Sequence, residues 1–269
     1  MPGLQPIRAI ERGVSVMRAL EELGAASLHN LHNLHKSTGL HRTTLLRILL
    51  TLEQQGLVRR GLSDGMYRNT FQLRRMTDTL DEFDRLAEIA GPVLGRLCTK
   101  VKWPTDLTVR NGNCMEIKES SREQTPFMVN RDEVGHQIAF PVTAVGRAYL
   151  AFCPDAERKE IIAALNSAGH PADQPTQHPK SLTAMLEDVR TQDFAMCDQS
   201  YRGGNYSDGS FFDDGLNAIA VPLRGPAGLL GCINMIWVRQ AVAPEKFVAE
   251  NLGALVDAAA EIVNAYTAP

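Results

Sequence analysis

Within the stretch from Leu40 to Gln55, Leu45, Ile48, Leu49 and Leu52 fall at i, i+3, i+4 and i+7, which predicts a helix with one buried stripe. Thr43, Arg47 and Gln54 then occupy the opposite side, and Leu50 also faces outward there, without an evident role. What flanks this helix limits the fold sharply. Before it, Ser27 can cap a short helix whose Leu28, Leu31 and Leu34 face one way, and Thr38-Gly39-Leu40 makes a tight connection in which Gly39 supplies a conformation other residues resist. An earlier helix from Ile7, with Ile10, Val14, Met17 and Leu20 as its apolar stripe and Gly24 at its end, provides core support. After it, Gly56, the run Leu57-Val58-Arg59-Arg60, the turn pair Asp64-Gly65 and the run from Met66 to Thr70 read as a β-hairpin.

Two helices joined by a short turn containing Gly, the second opening with Arg42, Thr43, Thr44 and Arg47, predict a helix-turn-helix whose second helix lies in the major groove of double-stranded DNA. Arg59, Arg60 and Arg68 on the hairpin predict a wing that reaches phosphates or the minor groove. Charge agrees with this reading. Residues 1–75 hold 11 Lys+Arg against 5 Asp+Glu, net +6, whereas residues 76–269 hold 17 against 26, net -9, so the overall -3 conceals a basic head on an acidic body. His29, His32 and His35 repeat every three residues, but they interleave with the leucine stripe and have no Cys nearby, so they are expected to be surface side chains rather than metal ligands.

The rest of the chain predicts an α+β body. Met76, Leu80, Phe83, Ala87, Ala90, Leu94 and Leu97 alternate steps of four and three, an apolar seam interrupted by Pro92, which predicts a linker and dimerisation helix over 76–98 between a DNA-binding domain at 1–75 and a body at 99–269. In the body, Thr105–Arg110 and Cys114–Glu119 read as paired strands across Asn111-Gly112, and Ala144–Phe152 and Asp155–Leu165 as helices. Leu216–Arg224 and Leu230–Val238 read as a second strand pair joined at Gly225-Pro226, and Pro244–Ala265 as a closing helix. The five cysteines are never closer than 16 positions, which predicts buried thiols without disulfides or a zinc pair. No stretch reaches the roughly 20 apolar residues of a membrane span, and the N-terminus lacks a basic region followed by an apolar core, so a cytoplasmic protein is expected.

No G-x-S-x-G elbow leading from a strand into a helix and no G-x-G-x-x-G, Walker or HExxH pattern occurs, and Asp106, Asp208, Asp213 and Asn234 have no spacing that defines a catalytic role, so an enzyme with an accessory basic domain is the disfavoured alternative and no cofactor is expected. On the strand from Leu230 to Val238, Cys232, Asn234 and Ile236 share one face, making Asn234 the polar member of an apolar row and a candidate to orient a ligand.

Ala9–Gly13, Thr38–Thr44 and Leu49–Arg60 resemble the winged-helix domain of the IclR family of bacterial transcription regulators. Pro141–Phe152, Ala218–Arg224 and Leu230–Asn234 resemble blocks of that family's effector domain, so the resemblance covers nearly the whole chain. Trp103–Asp106, Leu150–Pro154, Arg158–Glu160 and Ile219–Arg224 are also similar to the subgroup that activates operons for 3-(3-hydroxyphenyl)propionate breakdown. The resemblance implies a six-stranded, GAF-like sheet holding a small aromatic carboxylic acid, and a homodimer or dimer of dimers that contacts RNA polymerase if it activates. It implies an effector pocket at Ala144, Val145, Asp208, Leu216, Ala218, Cys232, Asn234 and Ile236. Amides at the start of the helix around Gly146 can receive a carboxylate with help from an arginine. Arg147 follows the helix surface and points away, leaving Arg122, Arg131 and Arg202 as candidates, while the segment from Tyr201 to Gly215 is long enough to be a lid or a plain surface loop.

Overall fold

The computed structural model describes residues 5–22, 30–77, 80, 82–127, 129, 134–207, 209 and 212–268, in two compact units divided between Asp81 and Glu82. The first unit holds α1 (Arg8–Glu22), α2 (Leu31–Thr38), α3 (Arg42–Gln54), β1 (Val58–Arg60), β2 (Tyr67–Asn69) and α4 (Phe71–Thr77). Leu45, Leu49 and Leu52 of α3 are buried as their spacing requires, against Val16, Ala19, Leu20, Leu34, Val58 and Tyr67. Two local expectations are corrected. On α1 the buried positions are Val16, Ala19 and Leu20, whereas Ile10 and Val14 are exposed, because the unit's small core reaches only one side and one end of that helix. On α2 the cap is Asn30, whose side chain accepts the Asn33 N–H at 2.8 Å; Gly24, Ser27, Leu28 and His29 lie outside the described residues.

In the second unit α5 (Glu82–Val101) runs through Pro92 and precedes β3 (Thr105–Asn111), β4 (Cys114–Ser120), β5 (Gln137–Ile138), α6 (Ala144–Phe152) and α7 (Asp155–Ala168). Then follow α8 (Pro179–Gln192), β6 (Ala195–Met196), β7 (Leu216–Gly225), β8 (Gly228–Val238) and α9 (Pro244–Thr267). The strands form one six-stranded antiparallel sheet in the order β5-β4-β3-β8-β7-β6. Alternation along the strands divides the core into two layers. Leu107, Val109, Ile219, Val221, Ile233 and Met235 face α5 and α9, while Met115, Ala218, Ala220, Cys232 and Ile236 face α6, α7 and α8.

The expected helix over 76–98 is not continuous: α4 ends at Thr77, Leu80 is outside any helix, and α5 starts at Glu82. The seam residues Ala90, Leu94 and Leu97, with Leu86 and Val93, are buried against the sheet and α9 of their own unit. Met76 and Leu80 remain exposed.

Candidate functional site

Gly39, at φ +66°, ends α2 in the left-handed conformation that glycine adopts without penalty, and its N–H caps the His35 carbonyl at 2.9 Å. The turn is held further by Thr38 Oγ1 donating to the Leu34 carbonyl at 2.6 Å and by His35 Nδ1 at 2.6 Å from the Leu40 oxygen. His35 is therefore a half-buried turn staple rather than a surface side chain. Among the described residues no group of His, Cys, Asp and Glu is placed to hold a metal ion.

The turn presents α3 with Arg42, Thr43 and Arg47 exposed and Thr44 half-buried. Arg42 Nη2 lies 3.3 Å from His32 Nδ1, and Thr43 Oγ1 lies 2.9 Å from His41 Nδ1, so the helix start carries a row of polar groups on its outer side. In the hairpin the register pairs Arg59 with Arg68 and Arg60 with Tyr67, placing Val58 and Tyr67 on the core face and Arg59 and Arg68 on the other. Arg68 is ion-paired to Asp64, which holds that carboxyl well below its usual range. Arg60 Nε donates to the Gly65 carbonyl at 2.9 Å, and its guanidinium lies 5.7 Å from the Tyr67 ring centre. Two of the three wing arginines thus brace the hairpin, and Arg59 extends into solvent.

In the second unit a cavity of about 260 Å³ opens on the α6 face of the sheet. Its apolar walls are Ile117, Ile138, Leu216, Ala218 and Ile236, and the start of α6 contributes Thr143, Ala144 and Val145. Thr143 Oγ1 accepts the Gly146 N–H at 3.2 Å, leaving the first amides of the helix without intrahelical acceptors at the cavity wall. A Cβ on Gly146 would collide with the Phe140 backbone, so only glycine lets α6 start this close to the preceding loop. Described parts of the segment from Tyr201 to Gly215 line the cavity through Tyr201, Gly204, Phe212 and Asp214. The segment is tied down by the Tyr206 N–H on the Gln137 carbonyl at 2.9 Å and by the Tyr206 hydroxyl on Asp173 Oδ2 at 2.7 Å.

The polar end is one network. Register places Asn234 on β8 opposite Asp106 on β3, and Asn234 Oδ1 accepts the Asp106 N–H at 2.8 Å. Asp106, fully buried, accepts from Arg122 Nε at 3.2 Å and Nη2 at 2.9 Å, and from Ser120 Oγ at 2.7 Å. Arg122 and Asn234 both line the cavity, and Asp106 fixes both.

Of the residues singled out from sequence, the structure brings Ala144, Val145, Leu216, Ala218, Asn234 and Ile236 together around the cavity. Cys232 is not among them: flanked by Thr108 and Pro222, it is sealed in the core beneath α6, and burial pushes its thiol up. Cys197 lines the wall instead, its thiol pushed by burial up to about 11. Asp208 and Arg131 lie outside the described residues. Of the arginines, Arg122 lines the cavity, Arg202 donates to the Gln199 and Tyr201 carbonyls, and Arg147 turns away to the Met196 carbonyl at 3.0 Å. His136 and Asp214 complete the polar lining and carried no spacing signal, since loops far apart in sequence deliver them.

A winged helix-turn-helix unit together with a sheet unit that encloses a small-molecule cavity defines a DNA-binding transcriptional regulator with an effector domain. The chain belongs to the IclR family: the family's helix-turn-helix domain matches residues 9–61, and the bacterial transcriptional regulator IclR C-terminal domain matches residues 77–264. It is 26% identical over 211 residues to the probable transcriptional regulator SauR of Cupriavidus necator, covering 78% of this chain and 79% of that one. An IclR family regulator from Brucella abortus has the same fold, with a TM-score of 0.55 at 21% identity over 98% of this chain and 94% of that chain. So does an IclR homologue from Microbacterium hydrocarbonoxydans, whose structure is a complex with 4-hydroxybenzoate, at TM-score 0.51 and 18% identity over 95% and 98% of the two chains. These families and relatives are transcriptional regulators, not enzymes. No helix among the described residues is long and apolar enough to cross a membrane.

Proposed function

We propose that this regulator controls an operon for aromatic-acid breakdown, more specifically as an activator, and that a one-ring carboxylic acid in the cavity of the second unit is its effector. The observation that carries the reading is the composition of the cavity: apolar walls wide enough for a ring, with the start of α6 and the Asp106-paired Arg122 on the lining to face an anionic group. Its volume of about 260 Å³ lies just below the roughly 300–1,000 Å³ of small-molecule sites, which suits a single ring. The 4-hydroxybenzoate complex of a relative with this fold supports the same ligand class. Activation rests on the similarity of Trp103–Asp106 and Leu150–Pro154 to the 3-(3-hydroxyphenyl)propionate subgroup, and implies contact with RNA polymerase.

Arg42, Thr43, Thr44 and Arg47 serve as the groove-reading set, with Arg59, Arg60 and Arg68 on the wing supplying phosphate affinity. A homodimer or dimer of dimers places two such units on neighbouring half-sites. Effector and operator are then coupled reciprocally: an acid that favours the DNA-competent arrangement binds more tightly when operator is present. Fluorescence anisotropy of the full chain on DNA upstream of its own and adjacent genes, at fixed salt, with and without 3-(3-hydroxyphenyl)propionate and 4-hydroxybenzoate, tests the whole reading. Selective, salt-sensitive binding modulated by one acid is expected. Selective binding indifferent to every aromatic acid would remove the effector class while keeping the regulator.

A further inference from the structure

The outward side of α3 is not purely polar. Leu50 is 56% exposed and Leu46 44% exposed, although α3 already buries Leu45, Leu49 and Leu52 in its own unit. At 100° per residue, Thr43, Arg47, Leu50 and Gln54 fall within an arc of about 60° centred opposite the buried stripe, bounded by Leu50 and Arg47, with Leu46 about 40° beyond Leu50. Leu50, at one edge of that arc, has no partner in the unit's core. It sits on the face that carries the basic charge, in a segment holding 11 Lys+Arg against 5 Asp+Glu.

We infer that Leu50, with Leu46 beside it, contacts a thymine C5-methyl group in the operator next to the base pair addressed by Arg47. This rests on the reading of α3 as the helix that enters the major groove. On base edges in that groove the thymine methyl is the apolar group offered to a side chain, whereas Arg47 suits the paired acceptors of guanine. Arg47 and Leu50 are three residues apart, about 4.5 Å along the helix axis, close to the roughly 3.4 Å rise of a base pair, so they address neighbouring pairs. The surrounding arginines bring the polyanion to this face, which favours DNA over a second protein surface. The specificity assigned is thus an apolar step beside a guanine contact.

The test begins with selection of bound duplexes from a randomised pool by the full-length protein. The enriched sequence is then resynthesised with deoxyuridine for thymidine, one position at a time, which deletes the methyl and leaves base pairing unchanged. At one position the wild-type chain is expected to lose about fourfold in affinity, the value of one buried carbon group. Leu50→Ala is expected to bind the thymidine and deoxyuridine duplexes alike, with its salt dependence retained. Leu62→Ala, at a fully exposed leucine in the wing loop, is expected to keep the wild-type discrimination. Equal discrimination by wild type and Leu50→Ala would overturn the inference. So would a Leu50→Ala chain that sediments as a smaller species with discrimination intact, because Leu50 would then belong to a contact between copies. No enriched sequence at all would overturn the DNA-reading role of α3 itself.

Discussion

Removing Asp106 is expected to be among the most damaging single changes in the second unit. Its carboxylate is fully buried and holds two N–H groups of Arg122, at 3.2 and 2.9 Å, as well as the Ser120 hydroxyl at 2.7 Å. The Arg122 side chain is only 9% exposed, so Asp106→Ala leaves a buried guanidinium without its carboxylate. Breaking a buried pair from one side costs about 3–5 kcal/mol, far more than an exposed pair such as Lys246–Glu250, because the remaining charge keeps its desolvation penalty. For a unit of this size each kcal/mol moves the midpoint by about 2–4 °C, so a fall of roughly 6–20 °C is expected. Both tryptophans, Trp103 and Trp237, lie in this unit, so fluorescence-detected melting or urea unfolding of the full chain reports on it directly. The double variant Asp106→Ala/Arg122→Met removes charge and counter-charge together and is expected to recover most of the loss. A single variant costing under about 1 kcal/mol, or a double variant no better than the single, would refute the argument that an uncompensated buried charge sets the magnitude.

Gly146→Ala is expected to cost at least about 1–3 kcal/mol, because the added methyl meets backbone rather than a side chain that can swing away; an unchanged melting temperature would contradict the close approach at Phe140. Burial lifts the Asp173 carboxyl above its ordinary 3.8, so the folded chain holds this proton more tightly than the unfolded one. That contribution to stability is present at low pH and is lost as pH rises through the raised value. Asp173→Asn should therefore show a shallower fall in urea midpoint from about pH 4 upward, and identical slopes would remove Asp173 from the linkage. Arg47→Ala is expected to lose about 1–3 kcal/mol of operator affinity and relax specificity at one position while effector binding stays intact, read by anisotropy and by ligand titration; full operator binding would take Arg47 out of the groove.

Local pattern carried most of the element assignment. A helix of period 3.6 or a strand of period 2 writes its buried side into the sequence, so α3, β3, β4, β7, β8 and α6 were legible from residue spacing. Edge strands of two residues, such as β5 and β6, are too short to show a period, and α8 is visible only as a structure. On α1 the spacing of Ile10 and Val14 pointed to a stripe that the small core does not reach.

The sequence by itself determined the basic head, the turn that seats α3 and the row containing Asn234, because each depends on neighbours along the chain or on composition. Only the tertiary structure decided that Arg122, not Arg202, lines the cavity, that Cys197 rather than Cys232 forms its wall, and that Asn234 grips Asp106. Those outcomes turn on which strand lies beside which and on where α6 covers the sheet. Contacts between residues more than a hundred positions apart, such as Asp106 and Asn234, leave no periodic trace in either segment.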